Sequence, residues 1–256
     1  MNFILGYGGA LIISIISYRM KALAFSGAIA AFIVGGTIFG FGGWSASIEL
    51  IAFFMSGSLL SKLNQQHTGK RDWRQVAANG VIPMLSVLLL YFRHDLREEA
   101  TLLFLGALAT TTADTFATEI GIRFGKKTFD ILTFEPSTKG LSGGVSIVGL
   151  IASIFGALLI ALLSFYQPDT DGGLCGLVFV KVIPVVTIAG FCGAFIDSII
   201  GAKFQAKYRA SSGEVIESDE SGAKLINGLS LIGNNATNLI ASIIGALVAV
   251  GISGWL

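Results

Sequence analysis

Apolar runs about as long as a bilayer is thick recur along almost the whole chain, and short segments between them carry most of its charge. A helix rises about 1.5 Å per residue, so roughly twenty apolar residues cross a hydrocarbon core of about 30 Å. Backbone amides find no water in that core, and only helices or closed barrels satisfy them. The runs are continuous rather than alternating, which selects helices. Composition agrees: 53% of the 256 residues are hydrophobic and 13% charged, against about a quarter charged in a soluble domain. The expected fold is an all-α polytopic membrane protein, a single transmembrane domain over 1–256 with about eight helices. The expected spans are 2–18, 21–41, 46–62, 76–93, 100–122, 143–166, 175–202 and 224–253. A net charge of +1 offers no field for nucleic acid. Cys175 and Cys192 lie in apolar sequence, so neither a disulfide framework nor a Cys/His metal site is expected. The opening MNFILGYGG lacks the basic region of a cleaved signal and reads as the first span.

Lys and Arg residues test this division, because they collect in cytoplasmic loops. Arg19 and Lys21 fall between spans 1 and 2; Lys62, Lys70, Arg71 and Arg74 between 3 and 4. Arg123, Lys126, Lys127 and Lys139 follow span 5, and Lys203, Lys207, Arg209 and Lys224 follow span 7. That is 14 of 17, leaving Arg93, Arg97 and Lys181. The asymmetry predicts odd-numbered loops in the cytoplasm and both termini outside it.

A repeat of about 83 residues relates 100–166 to 175–253. Asp114-Thr115 and Gly121-Ile122-Arg123-Phe124 match Asp197-Ser198 and Gly201-Ala202-Lys203-Phe204. Gly144-Val145-Ser146-Ile147-Val148-Gly149 matches Gly228-Leu229-Ser230-Leu231-Ile232-Gly233. Fainter copies pair Lys62 with Asn79-Gly80-Val81 and Lys21 with Ser26-Gly27-Ala28. The repeat predicts parallel helical hairpins about a pseudosymmetric centre, where repeat-built membrane proteins commonly place their site.

Asp114, Glu119 and Asp197 lie near the cytoplasmic ends of spans 5 and 7. An acid inside a bilayer costs about 2.5–3.5 kcal/mol on insertion scales unless paired or hydrated. Three acids at one membrane face predict a cation site or a polar cavity open to the cytoplasm, or else structural acids paired to interfacial Arg or Lys. At 100° per residue Asp114 and Glu119 stand about 140° apart, so both point at one ion only through a bend or a water. Thr110, Thr111 and Thr118 share a face with Asp114, and Thr112 and Thr115 lie nearer Glu119; these threonines are expected to line the same polar pocket.

The segment from Pro136 to Ser146 enters span 6 from the basic side with Lys139, Gly143 and Gly144. Glycines admit an anion to the backbone amides, and a helix N-terminus adds partial positive charge. No GxxxxGK[ST] is present, so this is not a Walker phosphate loop. Asn234 and Asn238 share a face of span 8 while Asn235 points elsewhere; such amides need another helix, a metal or a ligand. Arg74, Gln75 and Asn79 put further polar groups at the start of span 4. Glu49 reads as an isolated structural acid, and His67 and His94 as poor ligands. The polar segment 205–223 reads as a solvated connection, with the option of acting as a lid.

These residues resemble the integral-membrane phytyl phosphate kinase family of tocopherol synthesis and its bacterial and archaeal relatives. The resemblance covers most of the chain. It is concentrated in Ala113-Asp114-Thr115-Phe116-Ala117-Thr118-Glu119-Ile120-Gly121, Ser142-Gly143-Gly144-Val145-Ser146, Asp197-Ser198 with Gly201-Ala202, and Asn234-Asn235 with Asn238. Arg74-Gln75-Val76 with Asn79-Gly80 is a shorter match, and Leu141 departs from it where a small hydroxyl residue is expected. The resemblance implies phosphoryl transfer from CTP to an isoprenoid monophosphate, with Mg²⁺. It implies Asp114, Glu119 and Asp197 as metal ligands, and Lys139, Ser142, Gly143, Gly144, Ser146 and Ser198 on phosphates. Asn79, Asn234, Asn235 and Asn238 would orient phosphates or metal-bound water, with Arg74 at the rim. The protein would then sit in a cell membrane, or a thylakoid or plastid membrane, among membrane lipids. Composition and spacing alone leave open a CTP-dependent lipid-alcohol kinase, a CDP-lipid synthase or a cation-coupled transporter.

Overall fold

Among the described residues, 3–64, 69–164 and 179–254 of a computed structural model, seven α-helices carry the chain. They are α1 (Phe3–Arg19), α2 (Phe25–Leu63), α3 (Trp73–Phe92), α4 (Arg97–Phe124), α5 (Ile147–Leu163), α6 (Phe179–Lys203) and α7 (Asn234–Ser253). Five helices, α2, α3, α4, α6 and α7, are long and apolar enough to cross a membrane; α1 and α5 are apolar but shorter. Cys175, His67 and the start expected for the seventh span lie outside the described residues.

Helix α2 is two helical arms joined at a kink. Gly43, at φ 71° and ψ −161°, leaves the helical region, and only glycine adopts that backbone without strain. A straight helix of 39 residues would part its ends by about 58 Å. Both ends instead meet Arg71: Gly27 packs on the Arg71 carbonyl and Gly57 on its guanidinium. The chain therefore reverses at Gly43, between the stretches expected as spans 2 and 3. Helix α1 lies along the first arm, with Tyr7 against Gly36 and Phe3 against Gly40.

Helix α4 is the central element. In its most apolar stretch 67% of residues are buried, against 28–33% in the other four long helices. Lipid tails are as apolar as leucine, so packing contacts rather than water exclusion hold such helices together. Small residues make the contacts close. Gly193 of α6 and Gly245 of α7 both seat the Thr110 side chain, and Gly156 of α5 faces the Thr112 carbonyl. Around them Leu105, Leu108, Ala109, Ala157, Ile160 and Val186 form the core. Ile4, Ile12, Met55, Phe155 and Leu247 point outward, an apolar belt suited to lipid.

The charged loops add short strands that the all-α expectation omitted. β1 (Phe129–Asp130) pairs antiparallel with β2 (Gly144–Val145). β3 (Lys207–Arg209) lies between β4 (Val215–Ile216) and β5 (Lys224–Asn227). Two expected spans shorten accordingly. The sixth begins at Ile147 instead of 143, because Gly143 at φ +83° cannot continue a helix and Ser146 caps the next turn by accepting from the Gly149 N–H at 3.1 Å. The eighth begins at Asn234, since 224–227 is strand β5. The repeat pairs Ser146 with Ser230, yet α5 starts one residue after Ser146 and α7 four residues after Ser230. The matching segments thus enter their helices differently.

Candidate functional site

The four basic loops, far apart in sequence, meet at one end of the helices and line a single polar cavity of about 580 Å³. Lys21 comes from the α1–α2 connection, Lys62 from the last turn of α2, Arg71 from the α2–α3 connection, and Lys139 from the loop before α5. Asp114, Thr115, Thr118 and Glu119 enter from α4, Asp197 and Ser198 from α6, and Asn234 from the start of α7. The Gly-rich turn from Ser142 to Ser146 forms one wall.

The acids play different parts. Glu119 is buried and held: Ser61 donates to its Oε1 at 2.5 Å, and Asn64 Nδ2 donates to its Oε2 at 2.6 Å. The same Asn64 nitrogen donates to the Glu119 backbone carbonyl at 2.7 Å. These bonds join the end of α2 to the end of α4, as does Arg123, whose Nη1 donates to the Leu63 carbonyl at 2.5 Å. Asp114 and Asp197 accept no side-chain hydrogen bond from a described residue and form no ion pair with one. They lie within electrostatic reach of each other, and Asp197 also of Glu217.

That arrangement bears on Mg²⁺, which the resemblance implies. Among the described residues no three His, Cys, Asp or Glu side chains gather to hold a metal. Mg²⁺ does not require three; it commonly binds one or two carboxylates and completes its shell with waters and substrate phosphates. Asp114 and Asp197, two hard oxygen donors without a partner among the described residues, fit that mode. The Glu119 carboxylate lines the same cavity and lies within electrostatic reach of Asp114, but both of its oxygens already accept hydrogen bonds, from Ser61 and Asn64.

Other expected residues divide. Lys139, Ser142, Gly143, Gly144, Ser146, Ser198 and Asn234 line the cavity. Arg74 is exposed, stacked over Trp73 at 5.7 Å, and Asn235 lines neither cavity described here. Asn238 Nδ2 donates to Asn79 Oδ1 at 3.4 Å, bridging α7 and α3 away from the polar cavity, and the Asn238 Oδ1 is buried without a partner among the described residues. The threonines correct an expectation. Thr110, Thr111 and Thr112 are buried in helix packing and donate to carbonyls of their own helix. Only Thr115 and Thr118 reach the cavity.

Two cavity residues escaped the sequence reading. Arg71 stood only among the basic loop residues. Its backbone N–H donates to the Ala22 carbonyl at 3.2 Å, and its carbonyl accepts from the Ala24 N–H at 2.9 Å, which fixes it between two loops. Its guanidinium is half-buried, with Ser61 Oγ at 3.4 Å and no carboxylate of a described residue within 4.0 Å. Burial lowers the Arg71 pKa, and the nearby Glu119 charge opposes that in part. Glu217, from the polar segment after β4, accepts from the Ser142 backbone N–H at 2.5 Å and from Gln205 Nε2 at 2.9 Å. Neither carried a signal, because loop residues have no periodicity to reveal where they fold back.

A second cavity of about 580 Å³, almost wholly apolar, adjoins the first. It runs between α1 and the two arms of α2, lined by residues such as Ile13, Val34, Phe39, Leu50 and Phe54. Met20, Ala22, Ser58, Lys62, Arg71 and Gln75 line both cavities, so they share a wall with two cations in it.

Residues 8–246 match the family described as Integral membrane protein DUF92. The uncharacterized membrane protein MJ0933 of Methanocaldococcus jannaschii is 29% identical, over 93% of this chain and 89% of its own. Protein PGR of Arabidopsis thaliana is 28% identical, over 88% of this chain and 87% of its own. Protein VTE6, chloroplastic, of the same plant is 24% identical, over 90% of this chain and 65% of its own. No solved structure matches. With the match spanning nearly all of the described helices, the chain belongs to the integral membrane DUF92 family.

Proposed function

We propose that the protein is a membrane kinase that transfers the terminal phosphoryl group of CTP to an isoprenoid monophosphate, phytyl or geranylgeranyl phosphate, giving the diphosphate and CDP on the cytoplasmic face. The chain would make eight passes, with α2 contributing two. The observation that carries the reading is the shared wall: an apolar groove opens beside a polar cavity, with Arg71 and Lys62 between them. A half-buried cation without a carboxylate partner among the described residues calls for an anion, and the adjoining groove calls for a hydrocarbon tail. A lipid phosphate supplies both in one molecule. The motif resemblance to phytyl phosphate kinases and the match to VTE6 over 90% of the chain support the same kinase-like role.

The acceptor phosphate, with a second pKa near 6, is mostly dianionic at pH 7 and needs no strong base. One of its oxygens forms the new bond to the terminal phosphorus of CTP as the bond to the leaving CDP oxygen breaks. The barrier is mutual repulsion of two polyanions and their in-line alignment. Arg71 and Lys62 hold the acceptor phosphate at the groove mouth; Lys139 and the amides of the Ser142–Ser146 turn receive the donor phosphates. Asp114 and Asp197 would hold Mg²⁺, which would supply neutralisation of the phosphate charge. Asn234 and Ser198 orient donor oxygens from the far side.

The test is a matrix of CTP, ATP, UTP and GTP against prenyl monophosphates and prenyl alcohols, with products identified by mass spectrometry. Prenyl diphosphate with stoichiometric CDP is the expected result. A monophosphate formed only from alcohol, a CDP-lipid with released pyrophosphate, or solute uptake without nucleotide turnover would each replace this reading.

A further inference from the structure

The Ser142 amide is already engaged by an anion, and that anion is part of the chain. Its N–H donates to Glu217 Oε1 at 2.5 Å. Glu217 reaches there from a polar segment 75 residues downstream, steadied through its other oxygen by Gln205 Nε2 at 2.9 Å. Gln205 in turn is buried, with its Oε1 accepting from Thr237 Oγ1 of α7 at 3.3 Å. The anchor is therefore built into the helices while Glu217 itself is not. It follows β4, a two-residue strand tied to β3 by the pairs Tyr208↔Ile216 and Arg209↔Val215. Left-handed glycines, Gly213 at φ +89° and Gly222 at φ +86°, bound the segment on either side. So few contacts make local opening inexpensive relative to unfolding the bundle.

Electrostatics makes the closed position incompatible with a bound polyphosphate. Glu217 shares the cavity with Asp114 and Asp197 and lies within electrostatic reach of Asp197. A phosphate oxygen on the Ser142 amide would take the place that the Glu217 carboxylate holds and would meet its charge. We infer that Glu217 is a built-in stand-in for a nucleotide phosphate, seated on the Ser142 amide and displaced, with segment 213–222 as a lid, when a polyphosphate enters. The inference rests on the phosphate-binding reading of the Gly-rich turn. It adds a competitor whose departure removes one negative charge from the cavity that the polyphosphate enters.

Competition of this kind lowers apparent affinity by the fraction of molecules with the seat open. The full-length protein in detergent, with pyrophosphate and separately CTP as probes, gives two readouts. Binding titration of wild type, Glu217→Gln and Glu217→Ala should show both variants binding the probes on the order of fivefold more tightly. Hydrogen exchange in wild type should rise across 213–222 on adding either probe, while the Ser142 amide stays protected because one acceptor replaces another. Glu217→Gln keeps the side chain's size, so a folded variant is obtained even if Glu217→Ala is unstable. Equal or weaker binding in folded Glu217→Gln, with exchange of 213–222 unchanged by the probes, overturns the inference and leaves Glu217 a fixed strut. Pyrophosphate binding with lid release but no phosphoryl transfer from CTP would uphold the lid and overturn the kinase reading.

Discussion

Asp114 and Glu119 lie five residues apart at the same end of α4, yet their surroundings are opposite. Glu119 receives hydrogen bonds from Ser61 and Asn64 and fastens the end of α2 to α4. Asp114 faces Asp197 across the cavity, and neither carboxylate has a described partner. A carboxylate with its donors in place contributes to holding the fold. One left facing another carboxylate has been kept there against repulsion, and a cation or a reacting group is the natural reason. On the proposed function, the difference separates the part of the acidic motif that builds the site from the part that would act in it.

The comparison is open to breakage by substitution, and the largest effect is expected at the unpartnered pair. Asp197→Asn should lower phosphoryl transfer by on the order of 10²–10³-fold, measured as CDP release at saturating Mg²⁺, with little change in thermal unfolding. A stability loss without an activity loss would reverse the assignment. Arg71→Ala should raise the KM for lipid phosphate by about 10–100-fold, the loss of one or two charge-assisted hydrogen bonds. Arg71→Lys should recover only part, because an ammonium cannot replace the planar fork. Glu119→Gln should act on stability. The amide oxygen can still accept from Asn64 and the amide NH2 can donate to Ser61 Oγ, so two charge-assisted bonds become neutral ones, at a cost of about 1–3 kcal/mol in unfolding experiments. The smallest effect belongs to Thr111→Val. Its hydroxyl donates within its own helix, to the Leu108 carbonyl at 3.0 Å, so unfolding should shift by under about 1 kcal/mol and turnover should be unchanged.

Much of this frame was legible in the sequence. Spans follow from apolar length, and the basic loops that line the cavity are those the charge asymmetry set apart. Asp114 and Asp197 stood out because acids in apolar helices are costly, and the repeat paired them. Helical phase set Asp114 and Glu119 about 140° apart, and in the structure both line the one cavity, with Glu119 alone hydrogen-bonded to Ser61 and Asn64. What escaped was set by contacts between distant segments. No local pattern says that Asn64 reaches Glu119, that Arg71 lies at the mouth of an apolar groove, or that Glu217 folds back onto Ser142. The strands of the charged loops run two to four residues, too short for an alternating signature. The threonines were misread for a related reason: in apolar surroundings a hydroxyl satisfies itself on its own helix, so a polar residue type need not mark a polar face.

The most direct test sets Asp114→Asn beside Glu119→Gln, both purified in the same detergent and supplied with CTP, Mg²⁺ and phytyl monophosphate, with diphosphate measured by mass spectrometry. Diphosphate formation should collapse in Asp114→Asn while its unfolding temperature holds. In Glu119→Gln formation should persist at a lowered unfolding temperature. Equal losses in the two variants, or turnover near wild type in Asp114→Asn, would contradict the division between the acid that fastens the helices and the acids that serve the chemistry.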